Sequence, residues 1–467
     1  MGNLKSYLNS LKGKKIDVIG AGVSNTPLIE VLLKSGVETT IYDKCTRKEL
    51  GEKAEKFEKL GAKLVLGENY LFNLTGDVIF RTPGLMPTNP EIKKAVARGA
   101  VLTSEIEVFF DICPCKTIAV TGSDGKTTTT SIIAELLRTE GKTVHLGGNI
   151  GTPLLCFADD MQPDDLAVVE LSSFQLITMK KSPNIAVVTN LSPNHLDVHR
   201  NIDEYIEAKS HIFMHQKKAD RAVFNLDNAI TREYAANAPA DEILFFSRRD
   251  KVENGTYLKN GTIYEVINDV RTSIMQEEDI FLPGLHNVEN YLAAFAAVLG
   301  IVSLDTMRKT AKQFRGVQHR IEFVRELRGV KYYNDSIASS PSRAIAGLKS
   351  FENKNIVLIA GGKDKGIPFD ELGSEIVKRV KSLILTGLAA NQIRKAVHEA
   401  HGFKTPEDEN TIAIYENEDF SEAVKTASKL ASEGDIVLLS PACTSFDKFK
   451  NFEERGNMFK DIVNSLE

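Results

Sequence analysis

Apolar and polar positions along this chain follow one repeated rhythm. A short β-branched run ends in a Gly-rich or polar turn, and a stretch with apolar residues at helical spacing follows. That alternation predicts parallel sheets covered by helices. The first stretch opens with Ile16-Asp17-Val18-Ile19 and Gly20-Ala21-Gly22, and a second strand, Thr39 to Tyr42, ends at Asp43. Further strands are expected at Lys63 to Leu66, Asp77 to Arg81 and around Val101-Leu102. The second stretch offers Thr117 to Thr121, Leu166 to Glu170 and Ile185 to Thr189. Between about 245 and 282 the rhythm changes to charges and short alternating runs carrying Asn254-Gly255 and Asn260-Gly261. Asn-Gly between such runs reads as a hairpin turn, so a small antiparallel flap is expected. An alanine-rich helix from about His286 to Leu299, closed by Gly300, comes next. The third stretch offers Val330 to Tyr333, Ile356 to Ala360, Leu383 to Thr386, Thr411 to Tyr415 and Ile436 to Leu439. The chain therefore reads as an α/β protein of three domains, 1–108, 109–317 and 318–467, each on a mainly parallel sheet with flanking helices.

Composition narrows the class. Of 467 residues, 42% are hydrophobic and 26% charged, which excludes a disordered, fibrous or disulfide-stapled protein. The formal charge of −5 argues against a dedicated nucleic-acid binder. No apolar run approaches the ~20 residues that cross a bilayer. Met1 to Lys15 is polar and amphipathic, so no secretory signal and no membrane association are expected. Cys113 and Cys115 flank Pro114, but no second pair completes a zinc site. Free thiols in a reducing cytoplasm are expected.

The sharpest local signal is Thr121-Gly122-Ser123-Asp124-Gly125-Lys126-Thr127-Thr128, between an apolar strand and the helical pattern from Ser131. Glycines let backbone N–H groups curl around phosphate oxygens, and the helix N-terminus adds its positive end. Lys126 is placed to neutralise the β- and γ-phosphates, and Thr127 to offer its hydroxyl to Mg²⁺. The spacing departs from the usual phosphate-loop pattern, since Gly122 stands only three residues before Gly125. The earlier loop, Gly20 to Asn25 with Gly22, Val23 and Ser24, resembles half of a dinucleotide fingerprint. Asn25 replaces its third glycine, so a single diphosphate, as in a UDP-sugar, suits it better than NAD.

Acids at the C-terminal ends of strands in open α/β sheets face the ligand crevice, and Mg²⁺ prefers hard oxygen ligands. Glu170 with Thr127 is thus a candidate magnesium pair. Asn194-His195-Leu196-Asp197-Val198-His199 brings two histidines and an aspartate to the same sheet end. Lys209 sits in the helical Tyr205 to His211 and, by composition alone, reads as a surface lysine. In the third stretch, loops after three strands gather Ser339, Lys365 and Ser445 for a small anionic substrate, with Arg320 and Asp335 directed to a nucleotide.

These residues together resemble the ATP-dependent Mur ligases of peptidoglycan synthesis, over essentially the whole chain. The markers are Thr121 to Thr128, Gly147-Gly148-Asn149-Ile150-Gly151, Glu170 to Leu176, Asn190 to Asp197, His286-Asn287 with Asn290, His319-Arg320, Asn334-Asp335-Ser336, Ser440 to Cys443 and Asn451 to Gly456. Within the family, Glu170 to Leu176 and the C-terminal string resemble the D-glutamate-adding branch.

The resemblance implies a Rossmann-like first domain binding UDP-N-acetylmuramoyl-L-alanine, a P-loop-like ATPase domain, and a Rossmann-like third domain binding D-glutamate and closing over the site. It implies an acyl-phosphate intermediate and a monomer in a bacterial cytoplasm. By position, Lys126, His195 and Lys209 match catalytic residues. Gly122 to Thr128, Asn149, Asn287, Asn290, Arg320 and Asp335 match ATP contacts. Gly22, Val23, Ser24, Asp43, Pro83, Gly84, Asn149 and Ser172 match the UDP-substrate site. Ser339, Lys365, Ser445 and Phe452 match the D-glutamate pocket. Thr127, Glu170, His195 and Lys209 match ligands of Mg²⁺ at two sites, with Lys209 carried as a carbamate. That would reverse the surface reading of Lys209.

Two departures stand out. Ile337 occupies a position where many relatives carry lysine, and Lys44 to Arg47 match the uracil segment loosely. Sister Mur ligases and folylpolyglutamate synthases share the ATP chemistry with other acceptors. Folylpolyglutamate synthases normally begin at the ATP domain, whereas about 108 residues precede it here. An NAD-dependent oxidoreductase leaves the Lys126 loop unexplained, and a non-catalytic regulator leaves the set Lys126, Glu170, His195 and Lys209 unexplained.

Overall fold

The computed structural model describes residues 3–193, 198–351, 354–400 and 412–467. Among these residues the strands form three sheets. The first is ordered Lys63–Leu66, Thr39–Asp43, Ile16–Ile19, Val78–Phe80, Val101–Thr103, with every pair parallel. All four residues of Ile16–Ile19 are buried, as a central parallel strand requires. Asp17 is tolerated there because its carboxylate accepts N–H groups from Thr75 and Gly76.

The second sheet runs Val144–Gly148, Leu166–Glu170, Lys116–Thr121, Ile185–Val188, Arg221–Asn225, Glu242–Ser247, Gly255–Lys259, Thr262–Ile267, Val270–Gln276. Its last three strands are the expected antiparallel flap, joined edge-on to the parallel part rather than standing apart. Asn260-Gly261 makes the first hairpin turn, both at positive φ. The expectation of a second hairpin at Asn254-Gly255 is wrong. Gly255 opens a strand parallel to Glu242–Ser247, and a Cβ there would lie 1.8 Å from the Phe245 carbonyl oxygen. This glycine permits close strand approach, and the second turn is Asn268-Asp269. Three strands of this sheet were missed. Val144–Gly148 carries two glycines, and Arg221–Asn225 and Glu242–Ser247 hold their apolar residues between polar ends.

The third sheet is ordered Glu322–Leu327, Val330–Asn334, Ile436–Leu439, Ile356–Gly361, Val380–Thr386, Ala413–Glu416, and only its first pair is antiparallel. The predicted strand at Thr411 begins at Ala413; Thr411 itself lies outside the described residues. Among the described residues no helix is long and apolar enough to cross a membrane.

Contacts divide the chain into two compact units, Met1–Asp279 with Val288–Lys312, and Ile280–Asn287 with Gln313–Glu467. In the first unit one apolar core runs beneath both sheets, from Leu28, Leu32 and Phe57 through Ile106 and Phe109 to Leu155, Met161 and Leu176. Glu105 is embedded beside this core, accepting the Leu155 N–H at 2.8 Å. Burial pushes its carboxyl from 4.5 up to about 7. Between those values the folded chain holds a proton that the unfolded chain has released, so stability falls as pH rises through that window. Above it, the ionised side chain costs the fold about 3 kcal/mol. Glu105→Gln is therefore expected to match the parent near pH 4 and to exceed it by up to about 3 kcal/mol at pH 8. Urea midpoints at both pH values check this, and an equal difference at both would refute it.

Candidate active site

The strand Lys116–Thr121 delivers the phosphate loop to the C-terminal edge of the second sheet, and the helix Lys126–Thr139 leaves from it. The loop is tied down at several points. Ser123 N–H donates to the Asn190 carbonyl oxygen at 2.8 Å, and Asp124 N–H to Asn190 Oδ1 at 2.9 Å. Thr189 Oγ1 donates to the Asp124 carbonyl at 2.6 Å. Gly122 adopts φ +153, and a Cβ there would stand 1.9 Å from Thr189 Oγ1. Only glycine permits this close crossing. Thr127 lies in the first helical turn, partly exposed, while Thr128 is buried.

Two lysines converge on this loop. Lys126 Nζ donates to the carbonyls of Gly122 at 2.9 Å and Ser123 at 2.8 Å. Lys209, on the helix Ile202–Met214, is only 2% exposed. Its Nζ donates to the Gly122 carbonyl at 2.8 Å and Thr121 Oγ1 at 3.2 Å, and lies 4.9 Å from the Tyr205 ring centre. Burial first, and the charge of Lys126 second, hold the Lys209 amine well below the usual lysine range. The surface reading of this residue is thus overturned.

Glu170, at the end of its strand, is 1% exposed. Its Oε1 accepts from Asn149 Nδ2 at 2.7 Å, and its Oε2 is buried without a hydrogen-bond partner among the described residues. A buried orphan carboxylate oxygen beside a phosphate loop fits a hard cation. Asn290 Oδ1 accepts from Thr129 Oγ1 at 3.2 Å, beside the same loop. His195 lies outside the described residues, with Asn194, Leu196 and Asp197.

In the first sheet, Asp43 spends both carboxylate oxygens on backbone, accepting Ala21 N–H at 2.7 Å and Cys45 N–H at 2.8 Å. It therefore shapes the loop carrying Gly22, Val23 and Ser24, and Val23 is 77% exposed. Ser172 caps the short helix Ser173–Leu176 with Gln175 in a reciprocal box.

In the second unit the three expected loops do share one sheet edge, after Asn334, Gly361 and Leu439. Lys365 Nζ lies 3.3 Å from Ser339 Oγ. Asp335 accepts from Ser440 Oγ at 2.8 Å, and burial pushes its carboxyl up to about 7 against the opposing charge of Arg320. Arg320 sits between His319 and Ile321, both at positive φ. Asn287 donates to the Pro283 carbonyl at 2.6 Å. Ser445 is buried, and the Phe452 ring meets His319 edge-on at 5.9 Å.

Residues 120–298 match the family model for the Mur ligase middle domain, and residues 319–443 that for the Mur ligase, glutamate ligase domain. A UDP-N-acetylmuramoylalanine--D-glutamate ligase of Acetivibrio thermocellus is 51% identical over 465 residues, covering 99% of each chain. The chain belongs to the Mur ligase family. Relatives of the same description from Ruminiclostridium cellulolyticum and Clostridium novyi are 49% and 50% identical over 464 residues, covering 99% and 98% of each chain. Among solved structures, the UDP-N-acetylmuramate-alanine ligase MurC from Thermotoga maritima superposes with a TM-score of 0.58 at 19% identity, covering 97% of this chain and 99% of that one. A UDP-N-acetylmuramoyl-L-alanyl-D-glutamate--2,6-diaminopimelate ligase gives 0.54 at 21%, covering 92% and 93%. These two show a shared Mur ligase fold.

Two arginines of this Mur ligase were given no role by sequence reasoning, although Arg455 lies in the marker string Asn451 to Gly456. Arg81 is fully buried. Its Nη1 donates to the carbonyls of Pro83 and Leu85, both at 3.2 Å, and its Nη2 to the Phe174 carbonyl at 2.6 Å and Thr178 Oγ1 at 3.0 Å. It thus ties the Pro83-Gly84 loop to the Ser172 helix. Arg455 does the equivalent in the second unit, donating to Ser336 Oγ and to the carbonyls of Ser336 and Cys443. Burial pushes both guanidinium groups down to about 10. The available signal for Arg81 was an arginine closing the apolar run Val78-Ile79-Phe80.

Proposed function

We propose that this Mur ligase forms an amide bond between the carboxylate of UDP-N-acetylmuramoyl-L-alanine and the amine of D-glutamate, driven by ATP. The observation that carries the site assignment is the convergence of Lys126 and Lys209 on the Gly122 carbonyl of a phosphate loop, beside the buried Glu170. Family membership and the D-glutamate ligase relatives support the acceptor.

Carboxylate attack on the γ-phosphate brings several negative charges together. Lys126 and the N–H groups of residues 122–128 would offset that repulsion as charge develops. Magnesium bound there would supply further charge neutralisation, with Thr127, Glu170, His195 and a carbamate on Lys209 as its holders. The resulting acyl phosphate would be attacked by the amine, expelling inorganic phosphate. In this reading, Asn149, Asn287, Asn290, Arg320 and Asp335 contribute to ATP binding. Gly22, Val23, Ser24, Asp43, Pro83, Gly84 and Ser172 hold the UDP substrate. Ser339, Lys365, Ser445 and Phe452 hold D-glutamate. Domain limits near 108 and 317, a cytoplasmic location and action as a monomer belong to the same proposal.

Phosphate release from ATP and Mg²⁺ with UDP-N-acetylmuramoyl-L-alanine tests it, comparing D-glutamate, L-glutamate and no amino acid. Release that needs both the UDP substrate and D-glutamate is expected. Turnover with a different acceptor would move the chain to a sister activity.

A further inference from the structure

Cys113 and Cys115 take no part in the chemistry above. They flank Pro114 in the link between the helix Glu105–Ile112 and the strand Lys116–Thr121. Their Sγ atoms lie 3.6 Å apart, so about 1.5 Å of approach reaches disulfide bonding distance. The backbone holds them as neighbours. Cys113 N–H donates to the Phe109 carbonyl at 2.8 Å, Cys113 is extended at φ −55 and ψ 121, and Pro114 fixes the next φ.

The two thiols are not equivalent. Cys113 is partly exposed and Cys115 buried. A hydrogen bond from Cys115 lowers the Cys113 thiol from its ordinary value, while the same contact and burial raise Cys115. Cys113 is thus the accessible thiol and the more readily ionised of the two, with Cys115 the resolving partner behind it. The remaining cysteines lack this arrangement. Burial pushes both Cys156 and Cys443 up to about 12, and a hydrogen bond with Asp43 raises Cys45.

We propose that Cys113 and Cys115 are a modification site, oxidised by hydrogen peroxide to a reversible intrachain disulfide. The Cys113 thiolate attacks the peroxide; an S–O bond forms, the O–O bond breaks and hydroxide leaves. Cys115 gives its proton to that hydroxide and attacks the sulfenic sulfur. The S–S bond forms, the S–O bond breaks, and the departing hydroxide takes up the proton that Cys113 released to solvent on ionising. Two thiols are oxidised by two electrons and one peroxide is reduced to two waters. A dithiol reductant reverses the bond. The closed ring fixes the torsions around Pro114, at the base of the strand that leads into the phosphate loop.

The test uses the full chain. Trypsin cuts after Arg98 and Lys116, which places both cysteines in the single peptide 99–116. After brief peroxide exposure and alkylation, that peptide is expected unalkylated and about 2 Da lighter, and doubly alkylated again if dithiothreitol precedes alkylation. Its thiols should disappear at least about tenfold faster than those of Cys156 and Cys443. In Cys115→Ser, a sulfenic acid trapped by dimedone at Cys113 is expected. A peptide 99–116 that stays doubly alkylated while other cysteines oxidise would overturn the proposal. So would a peptide linked to another cysteine. The unsubstituted chain alone decides the matter if the variant fails to fold.

Discussion

Lys209→Met is expected to lower turnover by about a thousandfold, the scale of removing an electrostatic contact to developing charge. Lys209 and Lys126 both donate to the Gly122 carbonyl. Burial first, and the neighbouring charge of Lys126 second, favour the neutral form of the Lys209 amine. A neutral buried amine is nucleophilic, and addition to CO₂ would convert it to an anion facing Glu170 and the phosphate loop. The expected signs are loss of activity in CO₂-depleted buffer, recovery with bicarbonate, and partial recovery of Lys209→Ala by formate or acetate. Retention of more than about a tenth of turnover in Lys209→Met would defeat this account. Loss of activity that ignores both bicarbonate and added acids would leave Lys209 as a brace for the Gly122 carbonyl.

The second large effect is expected at Arg81. Arg81→Met removes the Arg81 donor from the Pro83, Leu85 and Phe174 carbonyls and its opposing charge from Glu107. A loss of about 3–5 kcal/mol in unfolding free energy is expected, as when one partner of a buried charged cluster is removed. Arg81→Lys keeps the charge but not the fork that spans two loops. It should fold, with KM for the UDP substrate raised about tenfold or more and KM for ATP unchanged. Equal rises in both constants would mean a general loss of structure instead.

The loop from Thr121 to Thr128 was legible because strand, glycines and helix are consecutive, so local chemistry predicts local shape. The three loops of the third sheet were legible for the same reason. Arg81 was not, because its partners Phe174 and Thr178 lie far along the chain and nothing near residue 81 announces them. Lys209 read as a surface residue because its helix carries charges on either side, and burial depends on a loop nearly ninety positions earlier. Asn254-Gly255 misled because the pair fits a turn and a crowded strand start equally well. Only the parallel neighbour Glu242–Ser247 decides between them.

The apolar core beneath the first two sheets has a consequence for anyone dividing this protein. A functional boundary near 108 falls inside the helix Glu105–Ile112, whose Ile106 and Phe109 belong to that core. A fragment starting at 109 would lose Leu28, Leu32 and Phe57 as neighbours and present their former contacts to water. Such a fragment should aggregate on expression. In calorimetry the intact chain should lose both sheets in one cooperative step, since melting either one exposes the core they share. The proposed boundary near 108 and the melting unit are therefore drawn along different lines in this chain.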